Sequence, residues 1–101
     1  MKEDIYSFLT KIPFGMVVRY KDIAAYLGNK NYARYVGFVL HHNTNPNLYP
    51  CYKVVNSKGC LAKNYAFGGI NGQKMFLEKE KIIVENGKVD LTKYLWNIQQ
   101  Y

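Results

Sequence analysis

Two short amphipathic stretches separated by a tight polar turn constrain this chain more than any other feature. From Tyr20 to Leu27 the apolar residues Ile23, Ala24 and Leu27 share one side, Asp22 stands in the first turn and Gly28 follows as a C-terminal stop. After Asn29-Lys30-Asn31, a second helical pattern runs from Ala33 to His42, with Ala33, Val36, Gly37 and Leu40 at helical spacing. Two such helices read as a helix-turn-helix, whose second member enters a nucleic-acid groove. Arg34, Tyr35, Phe38 and His41 lie off its packing stripe, with Arg34 in the first turn where a recognition helix meets bases. Taken singly, Arg34 also reads as a solvated surface charge, and Gly37 as the site of a helix crossing.

Charge is consistent with this. Fourteen Lys+Arg against 7 Asp+Glu give a net +7, the footprint of a domain that meets phosphate backbones. The chain has 10 tyrosines and 5 phenylalanines, rings that can stack on bases but mostly belong to a core. At 101 residues it fits one domain over 1-101, expected to be a monomer, with a core that needs no metal or disulfide. Only Cys51 and Cys60 are present, and no apolar leader or membrane-length segment occurs, so free thiols in the cytoplasm are expected. Adjacent His41 and His42 match no zinc spacing, and no metal is expected.

Tyr49-Pro50-Cys51-Tyr52-Lys53-Val54-Val55 carries the possible chemistry. A cysteine directly after proline falls at a break in the chain, and the β-branched pair behind it favours a short buried strand. The thiol is then fixed where a loop enters the core. Lys53 or a helix N-terminus can favour the thiolate, the nucleophilic form. Equally, free cysteine is a common small core residue. Upstream, Asn43-Thr44-Asn45-Pro46-Asn47 is a run of turn formers that ends the helix as a hinge.

The remaining stretches read as scaffold. Ile5, Phe8, Leu9 and Ile12 make one helical stripe that Pro13 ends, and Phe14 to Val18 forms a buried apolar connection. Val54-Val55 and Cys60-Leu61 around Asn56-Ser57-Lys58-Gly59 suit a strand-turn-strand wing. Asn64 to Gly69 is an aromatic, glycine-rich loop before a helix at about Asn71 to Lys81. Asn86-Gly87 between Ile82-Ile83-Val84-Glu85 and Lys88-Val89-Asp90-Leu91 is a hairpin signal, and Thr92 to Tyr101 packs on the body or frays.

In order and spacing these stretches resemble the DNA-binding and active-site domain of the O6-alkylguanine-DNA alkyltransferases and their alkyltransferase-like relatives. The resemblance runs from Ile12-Pro13-x-Gly15 and Tyr20-x-Asp22-Ile23-Ala24 through Arg34-x-Val36-Gly37, Asn43 and Pro50-Cys51-x-x-Val54-Val55. It continues through Ser57-x-Gly59, Tyr65-x-Phe67-Gly68-Gly69, Gln73-x-x-x-Leu77-Glu78-x-Glu80 and Val89-Asp90-Leu91. It implies a mainly α fold with small β elements, winged helix-turn-helix-like. It also implies a repair protein that flips O6-alkylguanine out of double-stranded DNA and moves the alkyl group irreversibly to Cys51, without a cofactor.

On that resemblance Arg34 fills the gap left by the flipped nucleotide, with Tyr35, Phe38 and Lys53 as further DNA contacts. Tyr20 swings the phosphate and supplies or steadies a proton. Asn43 and Pro50 hold the hinge, the backbone at Val54 reads the guanine edge, and Tyr65 with Gly68 walls the pocket. Cys51, Tyr20, Tyr52 and Glu80 form the catalytic group. There is one departure at its centre: Tyr52 stands where the family has a histidine that draws the thiol proton toward the glutamate matched by Glu80. A phenol is a poor base at neutral pH, and loss of a positioned base costs roughly 10²-fold to 10⁴-fold in rate. The expectation is therefore a slowed, single-turnover methylated-DNA–protein-cysteine methyltransferase, built without the ribonuclease-like domain that precedes this one in many members. Relatives that only bind lesions and signal to excision-repair proteins usually replace the acceptor cysteine, which is kept here. A generic winged helix-turn-helix DNA binder is the third alternative.

Overall fold

The computed structural model describes residues 2–97. Its helices are α1 (Lys2–Leu9), α2 (Tyr20–Tyr26), α3 (Ala33–His41), α4 (Gly69–Lys79) and the short α5 (Leu91–Tyr94). Between them lie strands β1 (Val18–Arg19), β2 (Val54–Val55), β3 (Val84–Glu85) and β4 (Lys88–Val89), and single 3₁₀ turns at Lys30–Tyr32 and Cys51–Lys53. None of the described helices is long and apolar enough to cross a membrane.

The parallel pair β1–β2, in register Val18↔Val54 and Arg19↔Val55, divides the core. Successive strand residues point to opposite faces. Val18 and Val54 therefore join Ile5, Phe8, Leu9, Ile23, Val36 and Leu40 from the first three helices. Val17 and Val55 face the other way, to Leu61, Leu77, Ile82, Val89 and Tyr94. One short ladder thus ties the helix-turn-helix half to the α4 and hairpin half, with Cys51 three residues before its register position.

The helix-turn-helix forms over the expected residues. Asp22 anchors the start of α2 by accepting from the Arg19 amide at 2.9 Å and from its guanidinium at 2.8 Å twice. Asn29 caps the 3₁₀ turn through its side chain, which accepts from the Asn31 amide. The hairpin turns at Asn86 and Gly87, both at positive φ (54° and 72°), the conformation a two-residue turn of this hand requires.

Two expectations change. Val54-Val55 does not pair with Cys60-Leu61 as one arm of a wing; its partner is β1, and Cys60 bridges to Lys88 of the hairpin. Phe14 is not part of a buried connection but 68% exposed, because Gly15 at φ +79° turns the chain outward before β1. In the tail, Leu95 pairs with Val17 and Trp96 packs on Phe8, an arrangement secured by α5 with Asp90 as its cap; residues 98–101 fall outside the described chain.

Candidate active site and nucleic-acid interface

Pro50 shapes the loop that delivers the cysteine. Its φ of −73° and ψ of 71°, with the Cys51 amide donating to the Tyr49 carbonyl at 2.7 Å, make an inverse γ-turn. The chain then enters the Cys51–Lys53 turn, whose cap amide at Val54 donates back to the Cys51 carbonyl. Asn43, buried at the end of α3, holds the other side of this loop: its Nδ2 donates to the Tyr49 carbonyl at 2.8 Å and its Oδ1 accepts from the Asn45 amide at 3.1 Å. The end of the recognition-type helix and the cysteine loop are thereby fixed together.

Cys51 is only 4% exposed, yet it forms part of the wall of an open cavity of about 250 Å³. The cavity runs from Tyr20 of α2, across Gly37, Leu40 and His41 of α3, to Val54, Asn64 and Tyr65. The Tyr65 hydroxyl lies 3.4 Å from the sulfur. Burial, and then its bond to Cys51, raise the Tyr65 phenol well above the ordinary value, so at neutral pH it keeps its proton beside the thiol. Tyr20 is likewise raised, by burial first and by charge on Cys51 second. It is therefore suited to donating a hydrogen bond rather than to giving up a proton. At Gly37 a Cβ would meet the Tyr20 ring at 3.9 Å, an ordinary contact, so the crossing of α2 and α3 does not by itself demand glycine; its missing side chain widens the cavity.

On α3, Arg34, Gly37 and His41 follow one another at i, i+3 and i+7, so Arg34 projects along the stripe that leads to the cavity mouth. It is exposed, as are Tyr35 and Phe38, the last at 60% and packed at a tilt on His42 with ring centroids 4.4 Å apart. These three side chains form an exposed basic and aromatic face. Gly68 takes φ +106° at the start of α4, and the loop it ends is clamped at Gly72, where any Cβ would strike the Phe67 carbonyl oxygen at 1.9 Å. That close approach holds Tyr65 against the cavity.

One expected role is corrected. Lys53 is not at a DNA-facing surface. It is 2% exposed, its Nζ pairs with Glu80 at 2.8 Å and donates to the carbonyls of Pro13 at 2.7 Å and Ile12 at 3.3 Å. A lysine stem long enough to reach an internal carboxylate satisfies its charge there instead of on a phosphate. Tyr52 is bonded to Glu80, and the sulfur's own hydrogen-bond partner is the Tyr65 hydroxyl. The Tyr52 ring stacks on Phe76 at 4.9 Å, and its hydroxyl donates to Glu80 Oε2 at 2.8 Å, outside the cavity that holds the sulfur. Burial and the Glu80 bond push that phenol far above its usual value. Glu80 also accepts from the Gly15 amide at 2.9 Å. Burial alone would raise the carboxyl; Lys53, Gly15 and Tyr52 outweigh it and hold it below its ordinary range.

Gln73 was missed as a site residue. It is 1% exposed and lies on α4, four residues before buried Leu77. Its Nε2 donates to the carbonyls of Tyr52 (2.9 Å) and Val54 (3.1 Å), and its Oε1 accepts from the Ala62 amide at 2.8 Å. It ties together the two segments that wall the cavity on the α4 side. A polar residue at i−4 from a core leucine was the available signal. His41 and Asn64 are further cavity residues that sequence reasoning did not assign.

Among the described residues no cluster of His, Cys, Asp or Glu could hold a metal ion. What the arrangement offers is one thiol beside a phenol, in a cavity sized for a small planar ligand, at the foot of a helix with a basic face.

Comparison with known proteins agrees with this arrangement. The family model described as 6-O-methylguanine DNA methyltransferase, DNA binding domain, matches residues 1–82. A bifunctional methyltransferase/endonuclease of Picrophilus torridus is 40% identical over 93 residues, 92% of this chain but 30% of that protein, so the chain spans less than a third of that relative. Alkyltransferase-like protein 1 of Schizosaccharomyces pombe is 33% identical over 97 residues, covering 91% of this chain and 90% of that one. The crystal structure of S. pombe Atl1 in complex with damaged DNA containing O6-carboxymethylguanine superposes with a TM-score of 0.86 at 32% identity, over 95% of this chain and 94% of that one. The mainly helical fold with small sheets is therefore the fold of these proteins.

Proposed function

Because the chain belongs to the 6-O-methylguanine DNA methyltransferase family through its DNA-binding domain, we propose that it extracts O6-alkylguanine from duplex DNA and accepts the alkyl group on Cys51. The carrying observation is the sulfur in the wall of the cavity beneath α3, with Tyr65 at 3.4 Å. A duplex hides guanine O6, so the nucleotide must rotate out at a cost of a few kcal/mol. The α3 face supplies the compensation: Arg34 stacks in the vacated space, and exposed Tyr35 and Phe38 lie against the strand. Tyr20 and Tyr65 hold protons toward the cavity and orient the base and the thiol. In the transfer, the sulfur forms a bond to the alkyl carbon as the carbon–O6 bond breaks, its electron pair leaving on guanine. The thiol proton ends on the base, and nothing restores the cysteine.

The test is incubation with a duplex containing O6-methylguanine, followed by intact mass and peptide mapping. One methyl group on the Cys51 peptide is expected; continued lesion binding with no mass gain after long incubation would sink transfer. One observation favours a second reading, lesion recognition without transfer. Tyr52 donates to Glu80, and among the described residues the thiol's hydrogen-bond partner is the Tyr65 phenol, so no base bonds it directly. That reading expects lesion-selective binding unchanged in Cys51→Ala, with handover to excision repair.

A further inference from the structure

The reaction needs somewhere for the thiol proton to go, and the groups beside Cys51 are poor destinations. The Tyr65 hydroxyl is a protonated phenol at 3.4 Å, and Tyr52 is another, donating to a Glu80 carboxylate that Lys53, the Gly15 amide and Tyr52 hold in its charged form against burial. Lys53 is fully occupied by Glu80 and two carbonyls. Across the cavity stands one imidazole. His41, in the last turn of α3, lines the same cavity as Cys51 and Tyr20 and is open to solvent. Among the described residues no carboxylate lines that cavity, and Gln73, its polar wall residue on α4, is spent on three main-chain groups. An imidazole is the side chain that exchanges a proton readily near neutral pH, and a positioned base can act through one water.

We propose that His41 is the proton acceptor for Cys51, reached across the cavity rather than along the chain through Tyr52. The inference rests on the transfer reading above. The sulfur–hydrogen bond breaks with its proton passing to an imidazole nitrogen, leaving a thiolate beside the Tyr65 hydroxyl. The flipped base then enters the cavity. When the carbon–O6 bond breaks, the imidazolium at the mouth returns that proton to the guanine anion, so the histidine ends as it began.

The experiment compares wild type, His41→Gln and His41→Gly at pH 7 in two assays. In the first, without DNA, Cys51 is alkylated by iodoacetamide and followed by peptide mass, with Cys60 as internal control. His41→Gln is expected to slow Cys51 at least about tenfold while Cys60 is unchanged, and added imidazole is expected to restore His41→Gly. In the second, methyl transfer from the O6-methylguanine duplex, followed at saturating protein so that rate is read apart from affinity, is expected to slow roughly 10²-fold or more. Equal Cys51 alkylation in wild type and His41→Gln, with no imidazole effect, overturns the inference even if transfer occurs. Alkylation that depends on His41 in a protein that never takes up the methyl group supports the proton path and overturns the transfer reading instead.

Discussion

The two sides of the Cys51–Lys53 turn use polar side chains in opposite ways. On one side, Lys53, Glu80, Tyr52 and the Gly15 amide close on one another with no contact longer than 2.9 Å between the side chains and Glu80. On the other, Tyr20, His41 and Asn64 face an open cavity, and Cys51 has the Tyr65 hydroxyl at 3.4 Å. The closed side spends its hydrogen bonds within the protein and so carries stability. The open side leaves groups directed at space that a ligand can enter, and so carries chemistry. Glu80, with Lys53, Tyr52 and the Gly15 amide all directed at it, belongs to the first category.

The largest effect that would test this division is on the closed side. Glu80→Ala leaves the Lys53 ammonium buried without its counter-charge, which costs about 3–5 kcal/mol, read by urea unfolding. Lys53→Met combined with Glu80→Gln should recover most of that loss, since removing both charges also removes their desolvation. The pH profile sharpens the point. Glu80 is held below its ordinary 4.5 in the folded protein, so the unfolded chain takes up a proton first as pH falls. Its stabilisation is present above 4.5 and fades as pH drops through the lower folded value. Glu80→Gln should flatten that acid limb; an unchanged limb would place the acid sensitivity elsewhere.

The next effect lies on the boundary between the two sides. Gln73→Met keeps the volume but strands the Ala62 amide and the Tyr52 and Val54 carbonyls, a loss of about 1–3 kcal/mol. If Gln73 only supports the fold, lesion affinity of the still-folded variant should match wild type. If it also shapes the cavity wall, discrimination between O6-methylguanine and guanine duplexes should narrow, because both segments it ties line the cavity.

How much of this could be read from the chain follows the range of the interactions. The two helices, the Asn86-Gly87 turn and the Pro50 break are local, and periodicity and backbone chemistry expose them. The Val18↔Val54 register joins residues 36 positions apart and leaves no local trace, so Val54-Val55 was given the nearer partner, Cys60-Leu61. Lys53 reads as a surface cation because lysines seldom lie fully buried unless paired, and its partner is 27 residues away at Glu80. Both distances exceed what a spacing argument can see. The cavity's residues are legible where they carry distinctive chemistry, as Cys51 and Tyr65 do, and only faintly so where, like Gln73, they matter through three main-chain bonds.

The smallest effect on stability should come from the most exposed member of the candidate interface. Arg34 projects from α3 into solvent, so Arg34→Ala should change unfolding free energy by no more than about 0.5 kcal/mol. Its consequence is expected in DNA binding. A plain phosphate contact would weaken lesion and undamaged duplexes alike and lower the salt slope by about one. An arginine that fills the space of an extruded nucleotide acts only after the base has turned out, so its loss should weaken the lesion duplex more. Titrating both duplexes at two salt concentrations separates these cases, and equal losses would assign Arg34 to backbone binding and leave extrusion to the cavity side of the turn alone.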